Sequence, residues 1–174
     1  MNNLIVYQGK YGATEQYARW LSEELQLPLI PSTECILSNP EPGSLLLLGS
    51  SVYIGKLQLS DWLKKNVAVL PEYRLVLFVV SGTPLTETAK LFKYVKDSVP
   101  PSLFKLFRVF FLPGRLVYNK LSWRDRFMLN MGALLAGRKE GARMKTGYDD
   151  VKKEHLKELL SYLDSVSIPG TLDH

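Results

Sequence analysis

The stretch Gly9-Lys10-Tyr11-Gly12-Ala13-Thr14-Glu15 follows directly on the apolar run Leu4-Ile5-Val6-Tyr7 and Gln8. A strand there breaks into a short glycine-bearing turn and then a helix start, and the chemistry such a turn offers is anion binding. The first N–H groups of a helix lack intrahelical partners and lie at the positive end of its dipole, so a small-residue turn at that point can seat a phosphate. Thr14 is placed to cap the helix, its hydroxyl also within reach of a bound anion, and Lys10 adds positive charge. Any doubly wound α/β domain opens with strand, glycine turn and helix, so a purely structural turn is the alternative reading.

Two further loops share this placement. Gly49-Ser50-Ser51-Val52-Tyr53-Ile54-Gly55 combines small residues, which let backbone approach a ligand, with an aromatic ring that can stack on a flat one or simply pack the loop. Ser81-Gly82-Thr83-Pro84 offers N–H and hydroxyl groups to polar ring edges, or forms a tight turn before the next helix. The elements that must position these loops follow from the pattern. Strands are predicted at Leu4 to Tyr7, Pro28 to Ile30, Leu45 to Gly49, Arg74 to Val80 and Arg108 to Leu112. Between them, Thr14 to Gln26, Leu59 to Val67 and Thr86 to Asp97 read as helices, the last closed by Pro100-Pro101. A final helix from Asp150 to about Ser165 sets Leu156, Leu159, Leu160 and Leu163 on its inner side.

This alternation predicts a single α/β domain over residues 1–174: a doubly wound, five-stranded parallel sheet in the order 2-1-3-4-5, with helices on both faces. In that order ligands bind outside the carboxyl ends of the strands, where the chain switches direction between the first and third. Gln8 to Thr14, Ser50 to Gly55 and Ser81 to Leu85 are the loops at that end.

Charge is uneven. The chain carries +5 in total, yet the segment from Ser98 to Tyr148 holds ten Lys or Arg against two acids, or +8, leaving the remainder at −3. Such a segment favours an acidic partner or is a solvated basic surface. Its basic residues are not set among aromatic platforms or nucleic-acid recognition motifs, so nucleic acid is not the expected partner. Within it, Ser122 and Asp125 can cap a helix on which Trp123, Phe127, Met131 and Leu134 form one stripe. About fifteen residues at roughly 1.5 Å each fall short of a hydrocarbon core of roughly 30 Å. The helix therefore lies at a membrane surface, lines an apolar groove, or belongs to the core. Cys35 is the single cysteine, and the two histidines, His155 and His174, stand apart from it, so neither a disulfide nor a metal site is expected. Without a leader pattern at the start, the cytoplasm is the expected compartment.

With these residues in hand, the chain resembles the flavodoxin-like FMN proteins, and most closely the menaquinone-dependent protoporphyrinogen dehydrogenase family among them. The resemblance runs through the first loop (Lys10 to Thr14) and the second (Gly49 to Gly55). It is most distinctive late in the chain, where Gly114-Arg115-Leu116-Val117-Tyr118 leads through Trp123-Arg124-Asp125-Arg126-Phe127-Met128 to Gly137-Arg138-Lys139-Glu140. It implies FMN, with phosphate on Gln8, Gly9, Lys10, Tyr11, Gly12, Ala13 and Thr14. The isoalloxazine would then lie between the loop of Ser50, Ser51, Val52, Tyr53, Ile54 and Gly55 and that of Ser81, Gly82 and Thr83. It further implies that flavin N5 accepts hydride from a porphyrinogen-like substrate of heme biosynthesis, whose carboxylates Arg115, Arg124 and Arg126 would hold. Electrons would pass to a quinone or a redox protein. A flavodoxin-type electron carrier with no substrate of its own is the alternative.

The chain departs from these patterns in two places. The flavodoxin phosphate loop usually reads T/S-x-T-G-x-T, and here two of its hydroxyl positions are Gly9 and Tyr11, each lost neutral hydrogen bond costing about 1 kcal/mol of binding. Lys93 to Phe107, with its Pro100-Pro101, does not match the family's additional segment before the fifth strand, which leaves porphyrin specificity open.

Overall fold

Four consecutive leucines, Leu45 to Leu48, show no alternation of apolar and polar residues, as expected of a strand covered on both faces. The computed structural model describes residues 3–117, 125, 127 and 147–166 and puts these leucines in the middle strand of such a sheet. In chain order its strands are β1 (Leu4–Gln8), β2 (Leu29–Pro31), β3 (Leu45–Tyr53), β4 (Lys56–Leu57), β5 (Arg74–Ser81) and β6 (Phe107–Pro113). The parallel strands lie in the order β2-β1-β3-β5-β6, while β4 folds back antiparallel on the end of β3. Setting that short strand aside, the arrangement is the expected flavodoxin-like order 2-1-3-4-5. A separate two-stranded ribbon, not foreseen, pairs β7 (Arg115–Leu116) with β8 (Tyr148–Asp149).

Helices α1 (Ala13–Leu25), α2 (Ser60–Lys65), α3 (Thr88–Ser98), α4 (Pro101–Phe104) and α5 (Lys157–Ser165) complete the described layers. The period of two along each strand divides the core. Ile5, Leu45, Leu47, Val76, Phe78 and Val80 pack with Tyr17, Leu21 and Leu25 of α1 and with Leu156, Leu159 and Leu163 around α5. Val6, Leu46, Leu48, Leu75, Leu77 and Val79 point the other way, toward Leu59 and Leu63 near α2 and toward Val95, Val99 and Leu103. Tyr17 anchors α1 to the sheet: its hydroxyl donates to the Pro113 carbonyl at 3.0 Å, and burial pushes its phenol up to about 12, keeping it a neutral donor.

Several local expectations are corrected. Thr14 does not cap α1: the helix already begins at Ala13, and Gly12 holds the N-cap position at φ +80°, a conformation that glycine adopts without steric cost. The helix expected from Asp150 starts later, because Tyr148 and Asp149 are in β8 and a 3₁₀ turn at Lys153–Leu156 leads into α5. Leu160 of that helix is only partly buried. The expected helix from Ser122 to Gly137 lies outside the described residues except for helical, buried Asp125 and helical, exposed Phe127. Among the described residues, no helix is long and apolar enough to cross a membrane.

The β3–β4 hairpin was invisible in the sequence for a definite reason. Its two turn residues, Ile54 and Gly55, both have positive φ (+49° and +74°), as a I′ turn requires, but Asn or Asp normally fills the first of these positions. A β-branched side chain in the left-handed region is strained, and Ile54 is 60% exposed, so little burial offsets that strain. Ile54→Asn is therefore expected to stabilise the flavin-free protein by about 1 kcal/mol, read as a higher urea midpoint at unchanged slope. The opposite is expected earlier in β3, at Gly49, where an added Cβ would fall 2.2 Å from Cζ of fully buried Phe78. Gly49→Ala should cost about 3 kcal/mol by overpacking in the same denaturation assay; a loss under about 0.5 kcal/mol would mean the ring can move aside.

Candidate functional site

Parallel pairing brings the ends of β1, β3 and β5 to one edge of the sheet, Gln8 opposite Ser50 and Ser51 opposite Val80. Beyond that edge lies a cavity of about 390 Å³, within the size range of cofactor sites. Most of its walls are apolar or aromatic. From the residues singled out in the sequence, Lys10, Tyr11, Ala13, Thr14, Ser51, Val52, Tyr53, Ile54, Ser81, Gly82 and Arg115 line it. The other residues named for the cofactor stand elsewhere. Gln8 accepts a hydrogen bond from Ser32 Oγ at 3.0 Å. Ser50 is fully buried in β3, where its hydroxyl receives the Leu59 N–H at 3.2 Å, so it holds the α2 entry rather than facing the cavity. Gly9, Gly12 and Gly55 shape the backbone, and Thr83 faces a neighbouring cavity. Arg124 and Arg126 lie outside the described residues.

The first loop fits a phosphate. Thr14 is 1% exposed, lines the cavity, and its Oγ1 has no hydrogen-bond partner. A buried unpaired hydroxyl is costly, and an arriving acceptor would satisfy it. The departure at position 9 also has a cause: a Cβ on Gly9 would stand 2.8 Å from both Cβ and Oγ1 of Thr14, so the loop admits no serine or threonine there. Ala13 and Thr14, the first residues of α1, both line the cavity, so the end of the helix whose N–H groups lack intrahelical partners and carry the positive end of the dipole lies at this site.

Tyr11, the other departure, sends its hydroxyl elsewhere. It donates to Oδ2 of Asp125, Lys10 Nζ reaches the same oxygen at 2.6 Å, and Tyr53 donates to Oδ1 from the end of β3, where the structure continues the strand through residues expected to be loop. The Asp125 side chain is 7% exposed. The hydrogen bond to this carboxylate raises the Lys10 ammonium above its ordinary range, and the same ammonium sits 4.1 Å from the centre of the Tyr53 ring. Sequence reasoning gave Asp125 only a capping role; nothing in its spacing from Lys10 or Tyr53 signals the contact.

The third wall depends on close approach. Gly114 N–H donates to Ser81 O at 2.8 Å, and a Cβ on Gly114 would meet that oxygen at 3.0 Å. Asp150 N–H in turn donates to Gly114 O at 3.2 Å, which brings β8 to the cavity. Tyr148 then lies across Gly82, where a Cβ would fall 1.9 Å from the phenol oxygen. On its far side is a second cavity of about 270 Å³ that shares Ser81, Gly82, Gly114 and Tyr148 with the first and is also lined by Thr83, Lys152 and His155. Arg115 pairs with Asp149 across the β7–β8 ribbon at 2.9 Å. Tyr148 and Gly114 were not anticipated as site residues, since their role comes from the ribbon.

Among the described residues, no group of three or more His, Cys, Asp or Glu side chains could hold a metal. Comparison with the curated proteins found no match. Among solved structures, a flavodoxin from the domain Archaea is similar, at 14% identity over 68% of this chain and 87% of that one, with a TM-score of 0.39. A family model described as a flavodoxin domain matches residues 4–142, a span that holds all three strand-end loops and Asp125. The chain belongs to the flavodoxin domain family.

Proposed function

We propose that the protein binds FMN at the carboxyl ends of β1, β3 and β5 and acts as an oxidoreductase. The observation that carries this is the unpartnered, buried hydroxyl of Thr14, a residue at a helix N-terminus that lines a cavity with aromatic and apolar walls. Thr14 Oγ1 and the first N–H groups of α1 would hold the phosphate. The segments at Ser51 to Ile54 and Ser81-Gly82 would enclose the isoalloxazine and exclude water, Tyr53 offering a ring face. Bound FMN supplies the redox chemistry, accepting hydride and giving up electrons.

For the substrate, an apolar anion of the porphyrinogen kind is supported by the apolar walls and by the Arg115 guanidinium among them. Arg115 at the cavity, with Arg124 and Arg126, would hold its carboxylates, and a quinone would take the electrons. The second reading, an electron carrier without its own substrate, is supported by the family match and by exposed Ile54 at the rim, an apolar contact for a partner protein. Turnover of protoporphyrinogen with a menaquinone analogue above a free-flavin control selects the first reading. Fast, salt-sensitive reduction by a flavodoxin reductase, with no such turnover, selects the second.

The cofactor itself is tested by fluorescence titration. Wild type should quench FMN at micromolar concentration or below, and Thr14→Ala should weaken binding about tenfold through one lost hydrogen bond of about 1–1.5 kcal/mol. Absence of binding by the wild type would remove the proposal.

A further inference from the structure

Lys10, Tyr11 and Tyr53 present an ammonium and two phenol O–H groups to one carboxylate, and these are the donors that recognise any oxyanion. Lys10 and Tyr11 come from the loop after β1 and Tyr53 from the end of β3, and all three line the cavity that Thr14 also lines. Their acceptor comes from 72 residues beyond Tyr53 in the chain, so the contact is tertiary rather than a by-product of local geometry. We propose that Asp125 is an internal oxyanion that competes with the ligand's phosphate for Lys10 and its neighbours, and so sets the affinity and selectivity of the cavity. The choice of ligand rests on the flavin reading above.

Two acceptors would draw on one set of donors. Asp125 is buried and forms an ion pair with Lys10. A phosphate entering the same cavity must share that ammonium, and a charge-assisted hydrogen bond given to Asp125 is withheld from the phosphate. A flavin without phosphate brings no such anion. The carboxylate therefore penalises FMN relative to riboflavin, and the penalty passes through Lys10. Tyr11 completes the picture: its position is a hydroxyl position in the phosphate-loop pattern that the chain resembles, and here its hydroxyl is turned to Asp125.

Titrating FMN and riboflavin against wild type, Asp125→Asn and Asp125→Ala, each checked for folding by circular dichroism, tests this. The amide keeps the shape and removes the charge, and the alanine serves if the amide does not fold. Neutralisation should tighten FMN about tenfold and leave riboflavin within twofold. In a Lys10→Met background the same substitution should change FMN by less than threefold. Weaker or unchanged FMN binding, or an equal change for both flavins, would overturn competition and make Asp125 a tie between the loop after β1 and the end of β3. If no form binds either flavin, the proposed function fails separately, and inorganic phosphate decides. Phosphate should then raise the melting temperature of the neutralised variant more than that of wild type, with sodium chloride at matched ionic strength as control. An equal rise would overturn the proposal.

Discussion

Burial of the sheet on both faces is the constraint from which the rest follows. With Leu45 to Leu48 and Leu75 to Val80 buried on alternating sides, neither face of the two middle strands can offer polar groups to a ligand. Chemistry is pushed to the strand ends, where backbone emerges from the ladder and helix N-termini supply unpaired N–H groups. The loops after β1, β3 and β5 are long enough to leave a cavity there and are tied closely enough to keep it. Ser50 holds the α2 entry, Gly114 is bonded to Ser81, and Tyr17 joins α1 to the end of β6.

Features that cost stability gather at this edge. Thr14 keeps a buried hydroxyl without a partner, Ile54 holds a left-handed backbone with a β-branched side chain, and Asp125 carries a buried charge into the cavity. Away from this edge the described exceptions are the buried Trp62 Nε1, which lacks a partner, and Gln26, whose left-handed backbone closes α1. Local cost concentrated beside one cavity is what a binding site looks like, because each of these groups has something to gain from a ligand or a partner.

The sheet order and the first loop were legible in the sequence because both rest on short-range patterns: apolar runs bounded by turns, and a glycine turn leading into an amphipathic helix. The β4 hairpin was not, since Ile54 is a poor signal for the turn it makes. Thr14 was read as a cap because a hydroxyl at a helix start is usually one; Gly12 took that place, which left the hydroxyl free for the cavity. Asp125, Tyr148 and Gly114 reach the site only through tertiary packing, and contacts between residues so far apart in the chain, 72 for Asp125 and Tyr53, leave no periodicity to read. Arg115 was expected to be a substrate contact, and the structure does bring it to the cavity, but with Asp149 already beside it, a pairing fixed by the β7–β8 register.

The proposed function puts an anionic flavin in the cavity at the strand ends, and a crystal structure of the protein with FMN would show whether it is there. A phosphate oxygen is expected within hydrogen-bond distance of Thr14 Oγ1, with the ring system between the Ser51 to Ile54 segment and Ser81-Gly82. Flavin bound elsewhere, or in this cavity with its phosphate turned away from Thr14, would contradict it.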